Sequence, residues 1–159
     1  MSRRATIPVL LAACLLLTAP AFGIAVCTVG PLTTAFGVYN SLGNNPSDTL
    51  TTITVSCTGN IGDPVNYTLA LSTGQSGSFS NRVLSAGSAH LGYNLYLDSF
   101  HATVWGDGTG GSSTLSGGYN LSSTSQQTTF TVYGQINGGQ NSATVSSGYS
   151  DSVVVTLTY

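Results

Sequence analysis

The stretch "DSVVVTLTY", residues 151–159, decides the fold. In an extended chain Val153, Val155, Leu157 and Tyr159 fall on one side, with Ser152, Val154, Thr156 and Thr158 on the other. That alternation reads as a half-buried β-strand. The sequence stops inside this strand, so its outer edge is expected to carry backbone N–H and C=O groups with no neighbouring strand.

The composition points the same way. Only 5% of the 159 residues are charged, and the chain holds neither Lys nor Glu. It is poor in helix formers and rich in Ser, Thr, Gly, Val and Tyr, so almost no helix is expected. Short alternating runs recur: LTTITVSC (50–57), VNYTLALS (65–72), LGYNLYLD (91–98), ATVW (102–105) and QTTFTVYGQI (127–136). Between them lie GNNPSD, TGQSGSFSN, GDGTGGSS, NGGQN and SSGYSD, all with turn chemistry. Many strands without a helical period between them indicate an all-β antiparallel sandwich or barrel.

Residues 1–25 read as a secretory signal peptide: Arg3 and Arg4, an apolar run from Ile7 to Leu17, then small residues, with cleavage expected within 21–25. The run is too short to span a bilayer. LAAC, ending at Cys14, resembles a lipoprotein acylation site, but Leu15, Leu16 and Leu17 continue the apolar run past it. The mature domain is then 26–159, where Arg82 faces five aspartates for a net charge of 1 − 5 = −4. Such a chain has no basic patch to neutralise phosphates, which excludes nucleic acid as a partner. Cys27 and Cys57 remain, and in an oxidising compartment two cysteines read as a disulfide closing a loop of about 30 residues. Free thiols or a metal pair are the alternatives, with neither C-x-x-C spacing nor a nearby His to favour the metal.

The remaining motifs carry no catalytic constellation. GDGTGG (106–111) satisfies G-x-G-x-x-G, but no helical period follows it, so it reads as a flexible turn. His90 and His101 match no metal spacing, no G-x-S-x-G elbow accompanies the serines, and the aspartates sit in turns. NYT (66–68) and NLS (120–122) match the glycosylation acceptor and carry little weight in a bacterial-looking secreted chain. Trp105 and the tyrosines read as core fillers, with an aromatic sugar platform as the rival. No catalytic residue, metal or cofactor is expected.

Taken together, CTVGPLTTAFGVYN, ITVSC, VNYTLALSTG, SNRVL, LGYNLYLD, WGDGTGG, FTVYGQI and GYSDSVVVTLTY resemble the spore coat protein U family. That family groups spore-coat-like proteins with the pilin subunits of archaic chaperone-usher fimbriae. The resemblance implies an immunoglobulin-like sandwich that lacks its last strand. It also implies a groove filled first by a periplasmic chaperone and then by the neighbouring pilin subunit. Val153, Val155, Leu157 and Tyr159 are the residues expected to contact chaperone and donor strand, with the terminal carboxylate as an ionic anchor.

The function expected on this resemblance is a secreted, non-enzymatic subunit of an archaic chaperone-usher pilus, exported through the periplasm to the cell surface and serving adhesion or biofilm formation. Its partners would be chaperone, usher and neighbouring pilin, with a surface or glycan receptor. Only Phe22 to Val26 at most precede Cys27 after cleavage, a reach of about 17 Å. The expectation is therefore a subunit that accepts a strand and donates one poorly, at a tip or chain-initiating position. A spore or cell-surface coat protein, a secreted carbohydrate-binding module and a hydrolase using His90 or His101 are the alternatives.

Overall fold

The computed structural model describes residues 24–141, 143 and 148–159. The leader up to residue 23, including Cys14, and Ser146 and Ser147 of the SSGYSD spacer lie outside the described residues. Eight strands follow in order: β1 (Val26–Val29), β2 (Ser47–Thr58), β3 (Pro64–Leu71), β4 (Arg82–Ala86), β5 (Ala89–Tyr96), β6 (Leu115–Asn120), β7 (Ser125–Ile136) and β8 (Val155–Thr158). The one helical element among the described residues is a 3-10 turn, Gly74–Ser76.

All pairings between the strands are antiparallel, in a five-stranded sheet of order β1-β2-β7-β5-β4 and a three-stranded sheet of order β6-β3-β8. Alternation decides which side of each strand is buried. Ile53, Val55 and Cys57 of β2, Val132 and Ile136 of β7, and Leu91, Tyr93 and Leu95 of β5 are buried on the first sheet. Val65, Tyr67, Leu69 and Leu71 of β3 answer them from the second. Each fully buried aliphatic side chain contributes about 1.5–3 kcal/mol, which is what a charge-poor chain has to work with. The expected all-β antiparallel sandwich is what forms.

The strands differ in detail from the sequence reading. ATVW forms no strand of its own: Val104 bridges Tyr96 and Trp105 bridges Ser113, each as an isolated pair. Two strands carry almost no sequence signal. β4 follows a serine-rich spacer, and β6 is the run LSGGYN, which reads as a continuation of the glycine turn. Its glycines are there for close packing. A Cβ on Gly117 would sit 2.6 Å from the Tyr67 hydroxyl, and one on Gly118 2.5 Å from Asn66 Oδ1. A strand without side chains lets the Tyr67 ring lie against it.

Cys27 and Cys57 face each other across β1 and β2 in direct register and are joined by a disulfide. Both are buried, at 5% and 0% exposure, so the bond sits in the core and pins the short first strand to the long second one. We expect no free thiol in the unreduced protein, and a Cys27→Ala, Cys57→Ala variant to lose about 3–4 kcal/mol of unfolding free energy in urea. A thiol assay that titrates two free cysteines in the native protein would refute the staple.

Candidate functional site

A wide opening lies between two stretches of chain outside the eight strands, the second of which is bridged to β4 where Ser150 pairs with Ser85. One wall is residues 32–39, and the other is residues 149–153, just ahead of β8. Leu84, Leu91, Tyr93, Leu95 and Ile136 form the floor, and the space measures about 910 Å³. A strand is about 4.8 Å wide in the plane of its sheet and a layer about 10 Å thick. This volume therefore corresponds to roughly 19 Å of strand, about six residues.

The first wall runs beside β2 without joining its ladder. Thr51 donates its hydroxyl to the Thr33 carbonyl at 2.7 Å, and Thr49 donates to the Ala35 carbonyl at 2.8 Å. Side-chain hydroxyls thus take the place of backbone ladder bonds between β2 and this segment. Gly134 makes room for Phe36 at this point, since a Cβ there would lie 3.0 Å from the ring. Thr34 Oγ1, on the same wall, is buried with no hydrogen-bond partner among the described residues. A buried hydroxyl left unpaired costs free energy that a partner group would recover.

The second wall is fixed by Asp151. Its carboxylate accepts the Tyr93 hydroxyl at 2.8 Å and the Gln75 backbone N–H at 2.9 Å. Gly74 has φ +67°, and a Cβ at that position would collide with the carboxylate, so glycine is required twice over. Just beyond, Ser72 N–H donates to the Val154 carbonyl and Val154 N–H donates to Ser72 Oγ, at 2.9 and 2.8 Å. β8 then pairs with β3 and stands at the edge of its sheet. Among the described residues no strand covers its outer side.

Arg82, the only Lys or Arg among the described residues, is fully buried beneath this wall. It donates to the Ser72 carbonyl at 2.8 and 3.2 Å, to the Trp105 carbonyl at 2.8 Å and to Asn94 Oδ1 at 2.6 Å. Its guanidinium carbon also lies 5.4 Å from the centre of the Phe79 ring. These acceptors are neutral, and burial lowers the Arg82 pKa from its ordinary value. The sequence reading included Arg82 in the resemblance without a role. Its signal was its isolation, with no other Lys or Arg after Arg4.

The contact residues expected from the sequence do not all meet. Val153 lines the groove, whereas Val155 and Leu157 are half-buried on β8 opposite Leu71 and Leu69. Tyr159 lies past the last rung, Thr158 with Thr68, and is 55% exposed. The expected stripe is therefore divided: Val153 on the groove wall, Val155 and Leu157 in the strand, and Tyr159 exposed beyond it. The far wall and most of the floor were missed, since PLTTAFGVY has no clean alternation.

The other candidates disperse. Trp105 is 0% exposed and donates its indole N–H to the Leu69 carbonyl, which places it in the core and away from any sugar platform. His90 is on β5 beside the Ser85 hydroxyl, and His101, at φ +57°, contacts Gln135 and the Tyr96 ring. Among the described residues no group of three or more His, Cys, Asp or Glu could hold a metal ion. GDGTGG is a turn, as expected, but a well-bonded one. Asp107 accepts from the Thr109 N–H and hydroxyl, which lowers its pKa.

A family model described as Spore Coat Protein U domain matches residues 13–156. No curated protein matches the chain. Among solved structures it is similar to the CsuC–CsuE chaperone–tip adhesion subunit pre-assembly complex from archaic chaperone-usher Csu pili of Acinetobacter baumannii. The identity is 18% and the TM-score 0.57, over 86% of this chain. The chain spans 40% of the length of the chain it matches there, and the likeness is one of fold.

Two outcomes are expected from the wall and its support. Arg82→Met should cost about 3 kcal/mol or more, because three buried oxygens lose their donor, and Arg82→Lys should not rescue it, lacking the forked geometry. Urea unfolding checks both. The second concerns pH: burial first, and then the hydrogen bond to Asp151, hold the Tyr93 hydroxyl well above the ordinary phenol range. An unfolded tyrosine ionises near pH 10, so above that pH the unfolded state sheds a proton that the folded state keeps. The contribution is present below about pH 10 and is lost as the pH rises beyond it. Melting temperature should fall above about pH 10, and less steeply in Tyr93→Phe.

Proposed function

The chain belongs to the Spore Coat Protein U domain family, and from that premise we propose that it is a structural subunit of an archaic chaperone-usher pilus. In this reading its groove receives a β-strand from another protein. The observation that carries the reading is the groove itself: about 910 Å³ between residues 32–39 and 149–153, with an apolar floor and the edge strand β8 continuing one wall. A strand laid there would bury its apolar side chains on the floor and give the free edges a partner, which is recognition by strand addition. The likeness of fold to a subunit captured with its chaperone supports the same assignment.

On this proposal residues 1–25 form a signal peptide cleaved within 21–25, and the product passes through the periplasm to the cell surface. A periplasmic chaperone fills the groove first, and a neighbouring pilin subunit replaces it at the usher. Val153, Val155, Leu157 and the exposed ring of Tyr159 make the contacts along β8. The protein catalyses nothing, and its contribution to attachment or biofilm comes from the fibre of which it is part.

The test supplies the strand in cis. A donor strand from a related pilin, fused after Tyr159 through a flexible linker, should yield a monomer. Several apolar side chains at about 1.5–3 kcal/mol each correspond to a rise in melting temperature on the order of 10–20 °C. Deleting residues 157–159 should abolish capture by the chaperone in a periplasmic pull-down, while Thr156→Ser with Thr158→Ser changes little. An unfused protein that is already a stable monomer, with no gain from fusion, would sink the acceptor reading.

A further inference from the structure

The floor of the groove is not level. On β5 the side chains at 91, 93 and 95 are buried toward the core, so a tyrosine stands between two leucines. The Tyr93 ring meets Phe36 of one wall edge-on, with centroids 5.7 Å apart, and its hydroxyl reaches Asp151 of the other wall at 2.8 Å. The side chain therefore crosses the groove from wall to wall. It is held there at both ends. Only 5% of it is exposed, and its acceptor is fixed in turn by the Gln75 N–H and by the space that Gly74 leaves.

An incoming strand presents inward side chains at every second residue, about 6.6–6.8 Å apart, and positions 91, 93 and 95 repeat at that same spacing. In aligned sandwiches the facing layers cross at about 30°, so successive inward side chains meet successive floor positions. A branched side chain above Tyr93 would have to displace a ring tied to both walls, breaking its contact with Phe36 and removing one donor from Asp151. A small side chain leaves the crossbar in place.

Resting on the strand-acceptor reading, we propose that Tyr93 is the register-determining residue of the groove. The strand it accepts carries a small side chain, Gly, Ala or Ser, where it crosses Tyr93. Larger aliphatic side chains lie two residues to either side, over Leu91 and Leu95. Tyr93 thus sets both the alignment of the partner strand and the class of strand that fits.

The experiment uses the chain with an appended strand of twelve alternating Val and Thr residues, in which Ala and then Leu replaces each inward Val in turn. Melting temperature is the readout. Leu should exceed Ala at every inward position but one, where the order reverses by several degrees. In Tyr93→Ala the reversal should vanish and Leu should exceed Ala throughout, whereas Tyr93→Phe, which keeps the ring, should keep the reversal. Tyr93→Leu makes the same prediction as Tyr93→Ala with the core still filled, should the smaller residue prevent folding. Leu exceeding Ala at all positions in the unsubstituted protein, or a reversal that survives Tyr93→Ala, overturns the proposal. If no appended strand raises the melting temperature at all, the strand-acceptor reading itself has failed.

Discussion

A fully buried guanidinium with only neutral acceptors is the constraint on which the rest of this structure hangs. Removing a charge from water costs several kcal/mol unless the site replaces what water supplied. Around Arg82 that replacement comes from four places at once: the Ser72 carbonyl beyond β3, the Asn94 amide on β5, the Trp105 carbonyl and the face of Phe79. Asn94 belongs to the five-stranded sheet, Ser72 follows the end of β3, and Phe79 and Trp105 lie on connections between strands. The charge can be buried only if they all converge, so one residue couples the ends of elements that have no ladder in common.

From Arg82 the coupling passes to the groove through Ser72. The carbonyl of Ser72 binds the guanidinium, while its N–H and hydroxyl hold Val154, the residue that leads into β8. Asp151 adds a second attachment three residues earlier, through Tyr93 and Gln75. One wall is thus tied to the core through charge-assisted hydrogen bonds at Asp151 and Arg82, which are the stronger kind. The other wall, 32–39, is held by side chains: the hydroxyls of Thr51 and Thr49 on its carbonyls, the Tyr39 hydroxyl on the Asn137 carbonyl, and the Phe36 ring against Tyr93. A groove with one fixed and one side-chain-supported wall is suited to admitting a strand, because only the second wall has to adjust as the strand enters.

Much of the fold was legible in the residues. The alternation in β2, β3, β5 and β7 follows from the two-residue repeat of an extended chain, and burial of one side is the only way such strands gain stability in water. The pairing of Cys27 with Cys57 was readable from the compartment. β4 and β6 were not readable, because β6 presents Gly117 and Gly118 where side chains would signal a strand, and those glycines answer to Tyr67 and Asn66 across the sheet. The same limit applied to the groove. Val153, Val155, Leu157 and Tyr159 stood out by their period, but Phe36, Tyr93 and Asp151 meet across gaps of 57 and 58 residues, which no local pattern encodes.

By itself, then, the sequence determined that this chain would be a charge-poor, disulfide-stapled β-sandwich and that its last residues would hold a one-sided strand, which spans Val155–Thr158, shorter than the expected 153–159. Both follow from composition and from a period that every residue carries locally. Only the tertiary structure decided that Arg82 is internal, that the Trp105 carbonyl is one of its acceptors, and that Tyr93 bridges the two walls of the groove. Those outcomes depend on where distant backbone carbonyls, a glycine without a side chain and a single carboxylate come to rest in space, and that is settled by packing the two sheets together.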